Sequence, residues 1–262
     1  IQTLYRRFTG KKVFTSLDLR WAYHHIEIRE EDRCKTAFIT YDGLYEWNRM
    51  TFGYVNAPAA FQRAMNYIFR DLDYVIVYLD DILILSENEQ DHIQHLQTVF
   101  RRLKEYNLKL RLDKCLFFQS ELKYLGFILN AEGVRPDPAY VNKIIQLVPP
   151  TDKKGVLRLL GMINWLHRFV PRISDRISVI TQLTKKNTEF DWTKECDQAL
   201  GEIKLLIKGA QLLRHPDLSK PFHVICDASS IGIGSVLMQE YNNILYPCEY
   251  YSLVNTKDDG MY

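Results

Sequence analysis

The chain has 262 residues, of which 47% are apolar and 25% charged, so it is long enough for two or three compact units with their own cores. Its apolar runs are too short to cross a bilayer, and its net charge of +2 favours no class of partner. The five scattered cysteines include no CxxC pair, which argues against a disulfide framework or a zinc site and for an intracellular protein.

The first part of the chain is predicted to alternate strands and helices. The Asp-Gly pair at 42 and 43 favours a tight hairpin turn, and Asn56 is a suitable helix cap. Ser86 and Glu89 form a capping box for a second helix, which Asn107 can end in a left-handed conformation. The predicted elements are a strand at 13–19, a hairpin of 37–40 with 44–48, a helix at 57–70, strands at 74–79 and 82–85, a helix from 86 to 107 and a strand at 122–129.

A shift in composition at 130–138, with Gly133, Pro136 and Pro138, predicts a boundary. Mainly helical periodicity follows it, and strands return near the end of the chain. Residues 143–186 hold nine Lys or Arg against two Asp, a charge that suits a nucleic-acid backbone or simply a solvated helical face. The predicted elements are helices at 139–147, 152–169, 173–184 and 194–208, the last capped by Thr193, and strands at 222–226, 232–239 and 245–251.

Carboxylates stand at the ends of predicted strands. Asp80 and Asp81 separate two apolar runs, which is typical of a surface turn but also of a site for a hard divalent cation. Within the strand predicted at 13–19, Asp18 ends the β-rich run of residues 13–17 and is followed by Leu19. If that strand lies beside the Asp80-Asp81 hairpin, three carboxylates converge and can hold two Mg²⁺ ions for phosphoryl transfer.

Six ordered blocks resemble the palm motifs of reverse transcriptases, most closely those of gypsy-class LTR retrotransposons. Further blocks downstream extend the resemblance to nearly the whole chain. The blocks are Phe-Thr-Ser-Leu-Asp-Leu at 14–19, Lys-Thr-Ala-Phe at 35–38, Phe-Gly-Tyr-Val-Asn-Ala-Pro-Ala-Ala-Phe-Gln at 52–62, Tyr-Leu-Asp-Asp at 78–81, Leu-Lys-Leu-Arg-Leu-Asp-Lys-Cys at 108–115 and Tyr-Leu-Gly at 124–126.

This resemblance implies a role for individual residues. Asp18, Asp80 and Asp81 would be catalytic ligands of two Mg²⁺ ions, with Mn²⁺ as a substitute, and Lys114 would lie near the departing pyrophosphate. Tyr23 would exclude a 2′-hydroxyl, although core packing also explains it, and a surface lysine is the plainer explanation of Lys114. The remaining implied residues are Leu19, Phe52, Gly53, Asn56, Ala57 and Pro58 for substrate binding, Tyr124, Leu125 and Gly126 for the primer grip, and Asp227 as the first metal ligand of a ribonuclease H segment.

The fold expected from the resemblance is α+β. It comprises a palm at 1–132 with an antiparallel sheet and packed helices, a helical thumb at 133–216, and a partial α/β ribonuclease H segment at 217–262. The fingers segment before Ile1 and the rest of the ribonuclease H domain are expected to be missing, which would leave that nuclease inactive.

The expected function is RNA-directed DNA polymerisation, with an RNA template, a DNA primer, the RNA/DNA hybrid and deoxynucleoside triphosphates as partners. No membrane partner is expected. Protease and integrase would belong to the same Pol polyprotein, and the expected location is the cytoplasmic particle of the element or the nucleus. The alternative is a non-catalytic remnant that binds nucleic acid without synthesis.

Overall fold

The computed structural model describes residues 6–186, 188–230 and 232–255. The chain divides into two compact units, one formed by Gly10–Leu122 and the other by Ile1–Thr9 with Lys123–Tyr262. Helices accompany antiparallel sheets in the described part of the chain, which confirms the predicted α+β class. The predicted domain boundaries after residues 132 and 216 remain predictions.

The Gly10–Leu122 unit is built around one antiparallel sheet. Its elements are β1 (Val13–Asp18), α1 (Glu30–Arg33), β2 (Phe38–Thr40), β3 (Gly43–Tyr45), α2 (Ala57–Ile68), β4 (Val75–Tyr78), β5 (Asp81–Ser86), α3 (Glu89–Glu105) and β6 (Leu116–Gln119). The strand order is β4-β5-β1-β6, and β2 pairs with β3 in a separate hairpin. Leu17 of β1 and Ile82 of β5 share a buried core with Phe61 and Met65 of α2 and Val99 of α3. This packing fixes the strand ends that carry the carboxylates.

Two predicted helix caps are wrong in detail. Asn56 occupies the position before α2, but its side chain makes no capping hydrogen bond. The cap of α3 is Asn88, whose Oδ1 accepts from the Asp91 N–H at 2.9 Å, and not Ser86. Ser86 is fully buried at the end of β5, and its hydroxyl hydrogen-bonds to histidines of α3 instead. Asn107 has the expected left-handed backbone, with φ of 52°.

The other unit contains two further antiparallel sheets and the remaining helices. Its elements are β7 (Glu121–Tyr124), which crosses the unit boundary, β8 (Phe127–Asn130), β9 (Gly133–Pro136), α4 (Pro138–Ile145), α5 (Lys153–Asn164), α6 (Ile173–Gln182), α7 (Lys194–Lys208), β10 (Leu213–Arg214), β11 (His223–Ala228), β12 (Gly232–Tyr241) and β13 (Ile244–Val254). The strand orders are β10-β9-β8-β7 and β11-β12-β13. None of the described helices combines the length and the apolar character needed to cross a membrane.

Two predicted elements of this unit differ from the structure. The strand predicted at 122–129 is two strands, β7 and β8, because Leu125 and Gly126 adopt positive φ values of 49° and 79° and turn the chain. The helix predicted at 152–169 ends at Asn164. Val170 is extended, as expected for a residue before proline, and His167–Phe169 forms a short 3₁₀ turn. Thr193 caps α7 as predicted, accepting from the Cys196 N–H at 3.4 Å.

Candidate active site

The turn between β4 and β5 is tight and conformationally unusual. Leu79 and Asp80 form the turn, and Asp81 is the first residue of β5. Leu79 has a φ of 54°, a left-handed conformation that is unfavourable for a residue with a bulky side chain. The Gln62 side chain, from α2, stabilises this conformation. Its Oε1 accepts from the Leu79 N–H at 2.7 Å, and its Nε2 donates to the Val77 carbonyl at 3.0 Å.

Asp18 and Asp81 stand directly opposite each other on neighbouring strands. They are register partners in the β1–β5 pair, and the Leu19 N–H donates to the Asp80 carbonyl at 3.2 Å. Like charges in this arrangement destabilise a sheet. Burial, and then the charges of Asp80 and Asp18, raise the pKa of Asp81, while the charge of Lys114 opposes them. The three carboxylates therefore lie close enough to affect one another.

A cavity of 310 Å³ opens beside these carboxylates. Its walls contain six of the residues expected from the sequence: Asp18, Leu19, Tyr23, Phe52, Asp80 and Lys114. Trp21, Ala22 and Arg111 complete the lining. In the described parts of the chain, no three acidic, histidine or cysteine side chains form a preorganised metal site. Joint metal binding by Asp18, Asp80 and Asp81 therefore stays a prediction.

Tyr23 is packed between the cavity and the core. Its ring contacts Phe52 edge-on at 5.2 Å and Phe61 at 5.6 Å between centroids. Phe61 is almost completely buried, whereas Phe52 is largely exposed. These two contacts restrict the position of the tyrosine ring at the cavity wall.

The segment after Phe52 leads into α2, and none of residues 53–58 is among the residues that line this cavity. Gly53 has a φ of 98°, and a Cβ there would meet no atom within 4 Å, so the backbone conformation and not crowding favours glycine. Ala57 is buried, and Pro58 lies in the first turn of α2 after Asn56. The substrate-binding roles of Gly53, Asn56, Ala57 and Pro58 remain predictions.

The Tyr-Leu-Gly segment lies in the other unit. Tyr124 ends β7 and is buried, while Leu125 and Gly126 form the turn to β8. A Cβ at Gly126 would approach Trp165 Nε1 to 3.1 Å, and its φ of 79° adds a second reason for glycine. The segment is a well-defined turn, and its role as a primer grip is untested.

Asp227 is exposed on β11 and is paired with an arginine. Its Oδ2 accepts from Arg172 Nη1 at 2.8 Å. Arg172 Nε also donates to Asp175 Oδ2 at 3.1 Å, and Asp175 is buried. Asp227 thus forms an ion pair with Arg172, a partner that the sequence pattern did not indicate.

Comparison with known families identifies the chain. Residues 2–129 match the model described as reverse transcriptase (RNA-dependent DNA polymerase), and residues 192–260 match an RNase H-like domain found in reverse transcriptase. Residues 2–129 of this chain belong to the reverse transcriptase family. The two matched segments confirm the predicted combination of a reverse transcriptase segment with a ribonuclease H-like segment.

Similar proteins place the reverse transcriptase among retrotransposon Pol polyproteins, as predicted. It is 41% identical over 236 residues to the retrovirus-related Pol polyprotein from transposon 297 of Drosophila melanogaster, covering 89% of this chain and 22% of that protein. It is 35% identical over 260 residues to the transposon Tf2-3 polyprotein of Schizosaccharomyces pombe, covering 98% of this chain and 20% of that protein. The chain therefore spans about a fifth of each relative.

Solved structures of similar fold include two foamy viral protease-reverse transcriptases. The foamy viral protease-reverse transcriptase dRH in complex with double-stranded DNA has a TM-score of 0.86 and 26% identity, covering 94% of this chain and 44% of that one. The one in complex with an RNA/DNA hybrid has a TM-score of 0.82 and 25% identity, covering 99% of this chain and 36% of that one.

Three residues near the reverse transcriptase site were not singled out from the sequence. Gln62 holds the turn, Arg111 donates its N–H to the Asp18 carbonyl at 2.9 Å, and Trp21 lines the cavity. Gln62 and Arg111 lie inside motif blocks, and this position was the one feature of the sequence that could have indicated a role for them. Their partners are distant in sequence, so the blocks alone did not indicate what they contact.

Proposed function

We propose that this chain carries the polymerase site of an RNA-directed DNA polymerase. It would join deoxynucleotides to the 3′-hydroxyl of a DNA primer on an RNA template. One observation carries the proposal: Asp18 lies opposite Asp81, while Asp18 and Asp80 line the same cavity as Tyr23 and Lys114. Carboxylates that hold metal ions and a basic side chain serve phosphoryl transfer, and a restricted aromatic ring beside them can select the sugar of the nucleotide.

The chemistry of the carboxylates suits a pair of Mg²⁺ ions, with Mn²⁺ as a substitute. Asp18, Asp80 and Asp81 offer hard oxygen donors, and the raised pKa of Asp81 reflects burial and repulsion that a cation relieves. When bound, the ions would supply positive charge at the attacking and leaving oxygens. Asp227 offers one further oxygen donor, for a metal in the ribonuclease H segment.

The other residues of the cavity would orient the nucleotide and handle the leaving group. Tyr23, restricted by Phe52 and Phe61, would leave no space for a 2′-hydroxyl. The primer 3′-hydroxyl would lose its proton to solvent, and its oxygen would bond to the α-phosphorus as the bond to pyrophosphate breaks. Lys114 would donate a proton to the pyrophosphate or screen its charge. Leu19 would contact the incoming nucleotide from the end of β1.

The partners proposed are the RNA template, the DNA primer, their hybrid and deoxynucleoside triphosphates. The foamy viral neighbours in complex with double-stranded DNA and with an RNA/DNA hybrid support a duplex partner. The Pol polyprotein relatives support protease and integrase as neighbours in the precursor. Tyr124, Leu125 and Gly126 are proposed to hold the primer, and the cytoplasmic element particle is the proposed location.

Primer extension on an RNA template tests this function. The chain is expected to extend a DNA primer with deoxynucleotides in Mg²⁺ but not in EDTA. The Asp18→Asn variant should be inactive, and Tyr23→Ala should incorporate ribonucleotides more readily. Tight duplex binding without extension would favour a non-catalytic binding remnant.

A further inference from the structure

A second, larger cavity lies in the Gly10–Leu122 unit. Its volume is 790 Å³, within the range of small-molecule sites. Trp21 lines both this cavity and the proposed active-site cavity, so the two are neighbours. Arg20, Arg49 and Lys109 line the larger cavity, and none of them belongs to the residues proposed for the polymerase reaction.

The cavity carries an excess of positive charge. Arg49 is neutralised by Glu27, which also lines the cavity, through an Nη2–Oε1 contact of 2.8 Å. Arg20 and Lys109 form no ion pair among the described residues. Their main chains are joined, because the Arg20 N–H donates to the Lys109 carbonyl at 2.7 Å. Two neighbouring cations without a counter-charge favour an anionic ligand.

Hydrogen bonds brace the wall that carries these cations. His25 Nε2 accepts from the Lys109 N–H at 3.1 Å, so the proton of the neutral ring is on Nδ1, which donates to the Ala22 carbonyl at 3.1 Å. Arg49 Nη1 donates to the His25 carbonyl at 3.2 Å. The wall is therefore fixed before any ligand arrives.

Trp21 adds a surface on which a base can stack. Its side chain is 57% exposed although it is a large aromatic residue, and its φ of 56° lies in the left-handed region. The ring contacts His24 at 5.5 Å between centroids. An exposed aromatic ring beside basic side chains is the combination that binds nucleotides through stacking and phosphate contacts.

We propose that this cavity binds a nucleotide, with its phosphate on Arg20 and Lys109 and its base against Trp21. A free nucleoside triphosphate and a nucleotide within a single strand present the same chemistry. The site goes beyond the proposed polymerase function. Its basic side chains can bind a phosphate without a metal ion, and a nucleotide can bind there without primer extension.

Binding in EDTA tests the proposal, because chelation removes divalent ions from the neighbouring carboxylates. The full chain is titrated separately with a fluorescent ATP analogue and with a fluorescein-labelled eight-residue oligothymidylate. The test variant is Arg20→Ala/Lys109→Ala. The matched control is Arg101→Ala/Lys104→Ala, which removes the same charge from exposed positions on α3.

Affinity for at least one probe should fall about tenfold or more in the test variant and less than about twofold in the control. Trp21→Ala should weaken binding and Trp21→Phe should largely retain it. Binding of ATP alone identifies a free nucleotide as the ligand, and binding of the oligonucleotide alone identifies a strand. Equal losses in both double variants, or no loss in either, would overturn the proposal. Unchanged melting temperatures confirm that the variants are folded.

Discussion

Asp18 and Asp81 are an exception to a rule of sheet stability. Opposed carboxylates repel, and burial of Asp81 adds to the unfavourable energy of its charged form. The raised pKa means that the folded state binds a proton more tightly than the unfolded state. The contribution of Asp81 to the free energy of unfolding therefore rises as pH falls through the folded-state pKa of this residue.

Asp81→Asn should separate stability from activity. Without divalent ions at pH 7, the variant should melt a few degrees higher than the parent, because it removes one of two opposed charges. The difference should shrink as the solution is acidified and Asp81 is protonated. Primer extension should fall at least about 100-fold. Thermal unfolding in EDTA at several pH values measures the first effect, and a lower melting temperature in the variant would contradict it.

His92 is a fully buried polar residue in a hydrogen-bonded chain. Thr15 Oγ1 accepts from the Phe118 N–H at 3.3 Å and can donate to His92 Nε2 at 2.7 Å. His92 Nδ1 then donates to Ser86 Oγ at 2.7 Å, and that hydroxyl donates to His95 Nδ1 at 2.8 Å. This arrangement satisfies each donor with a neutral His92 ring. Burial accordingly lowers the pKa of His92 to about 4.

His92→Asn should change how stability depends on pH. Because the pKa of His92 is lower in the folded state, its contribution is complete above about pH 6.5 and is lost as pH falls towards 4. The parent should therefore lose about 2–3 kcal/mol more free energy of unfolding than the variant between pH 7 and 4.5. Urea unfolding at each pH measures this, and parallel curves for the two proteins would contradict the assignment.

Single residues differ in how much of their role a sequence can predict. Asp18, Asp80 and Asp81 were predicted as a site because carboxylates beside predicted strands fall within ordered motif blocks. Gln62 was not assigned a role, because its partner Leu79 is 17 positions away and only the folded chain brings them together. Arg172, which pairs with Asp227 across 55 positions, was missed for the same reason.

At the scale of elements, the β4–β5 hairpin combines an unfavourable turn conformation with support from α2. A non-glycine residue at positive φ costs about 1–3 kcal/mol. The hydrogen bonds of Gln62 to the Leu79 N–H and the Val77 carbonyl offset part of this energy. The position of Asp80 and Asp81 thus depends on a helix that is separate in sequence.

Gln62→Ala and Leu79→Gly test this coupling. Gln62→Ala should lower the free energy of unfolding by about 1–2 kcal/mol, because a turn N–H loses its acceptor. In a Leu79→Gly background the same change should cost less, since glycine adopts the positive φ without support. Urea unfolding of the four proteins in this double-mutant cycle measures the coupling. Additive effects would show that Gln62 does not act through the turn.

Predicted elements were accurate where periodicity was strong and local. Helix α7 was predicted with its bounds and its Thr193 cap, because an apolar face and a polar cap coincide. The cap of α3 was misassigned because Ser86 is drawn into the core by His92 and His95. The β7–β8 turn was missed because Leu125, an apolar residue, adopts a conformation typical of glycine.

At the scale of the whole molecule, the order of the motifs was more informative than any one of them. Two adjacent aspartates are common in surface turns, yet six blocks in sequence indicated the reverse transcriptase family, and the family matches confirmed it. The net charge of +2 was uninformative. The basic excess between residues 143 and 186 still suggests contact with a duplex backbone.

Lys154→Glu/Arg158→Glu tests that suggestion. Both side chains are exposed on α5. Affinity for an RNA/DNA hybrid should fall about tenfold, and its dependence on salt should weaken, because fewer phosphate contacts release counterions. Lys194→Glu/Lys208→Glu makes the same charge change at exposed positions of α7 and serves as the control. Equal losses in the two variants, measured by fluorescence anisotropy, would indicate a general charge effect.

Arg172 pairs with the aspartate that is proposed to bind a metal in the ribonuclease H segment. A cation bound to Asp227 would compete with the guanidinium of Arg172, which contacts Asp227 Oδ2 and also pairs with buried Asp175. Binding of a metal ion at Asp227 would then be a competition between that ion and the guanidinium. A nuclease assembled from this segment would begin with this carboxylate already neutralised by an ion pair, and it would need a higher metal concentration to occupy the site.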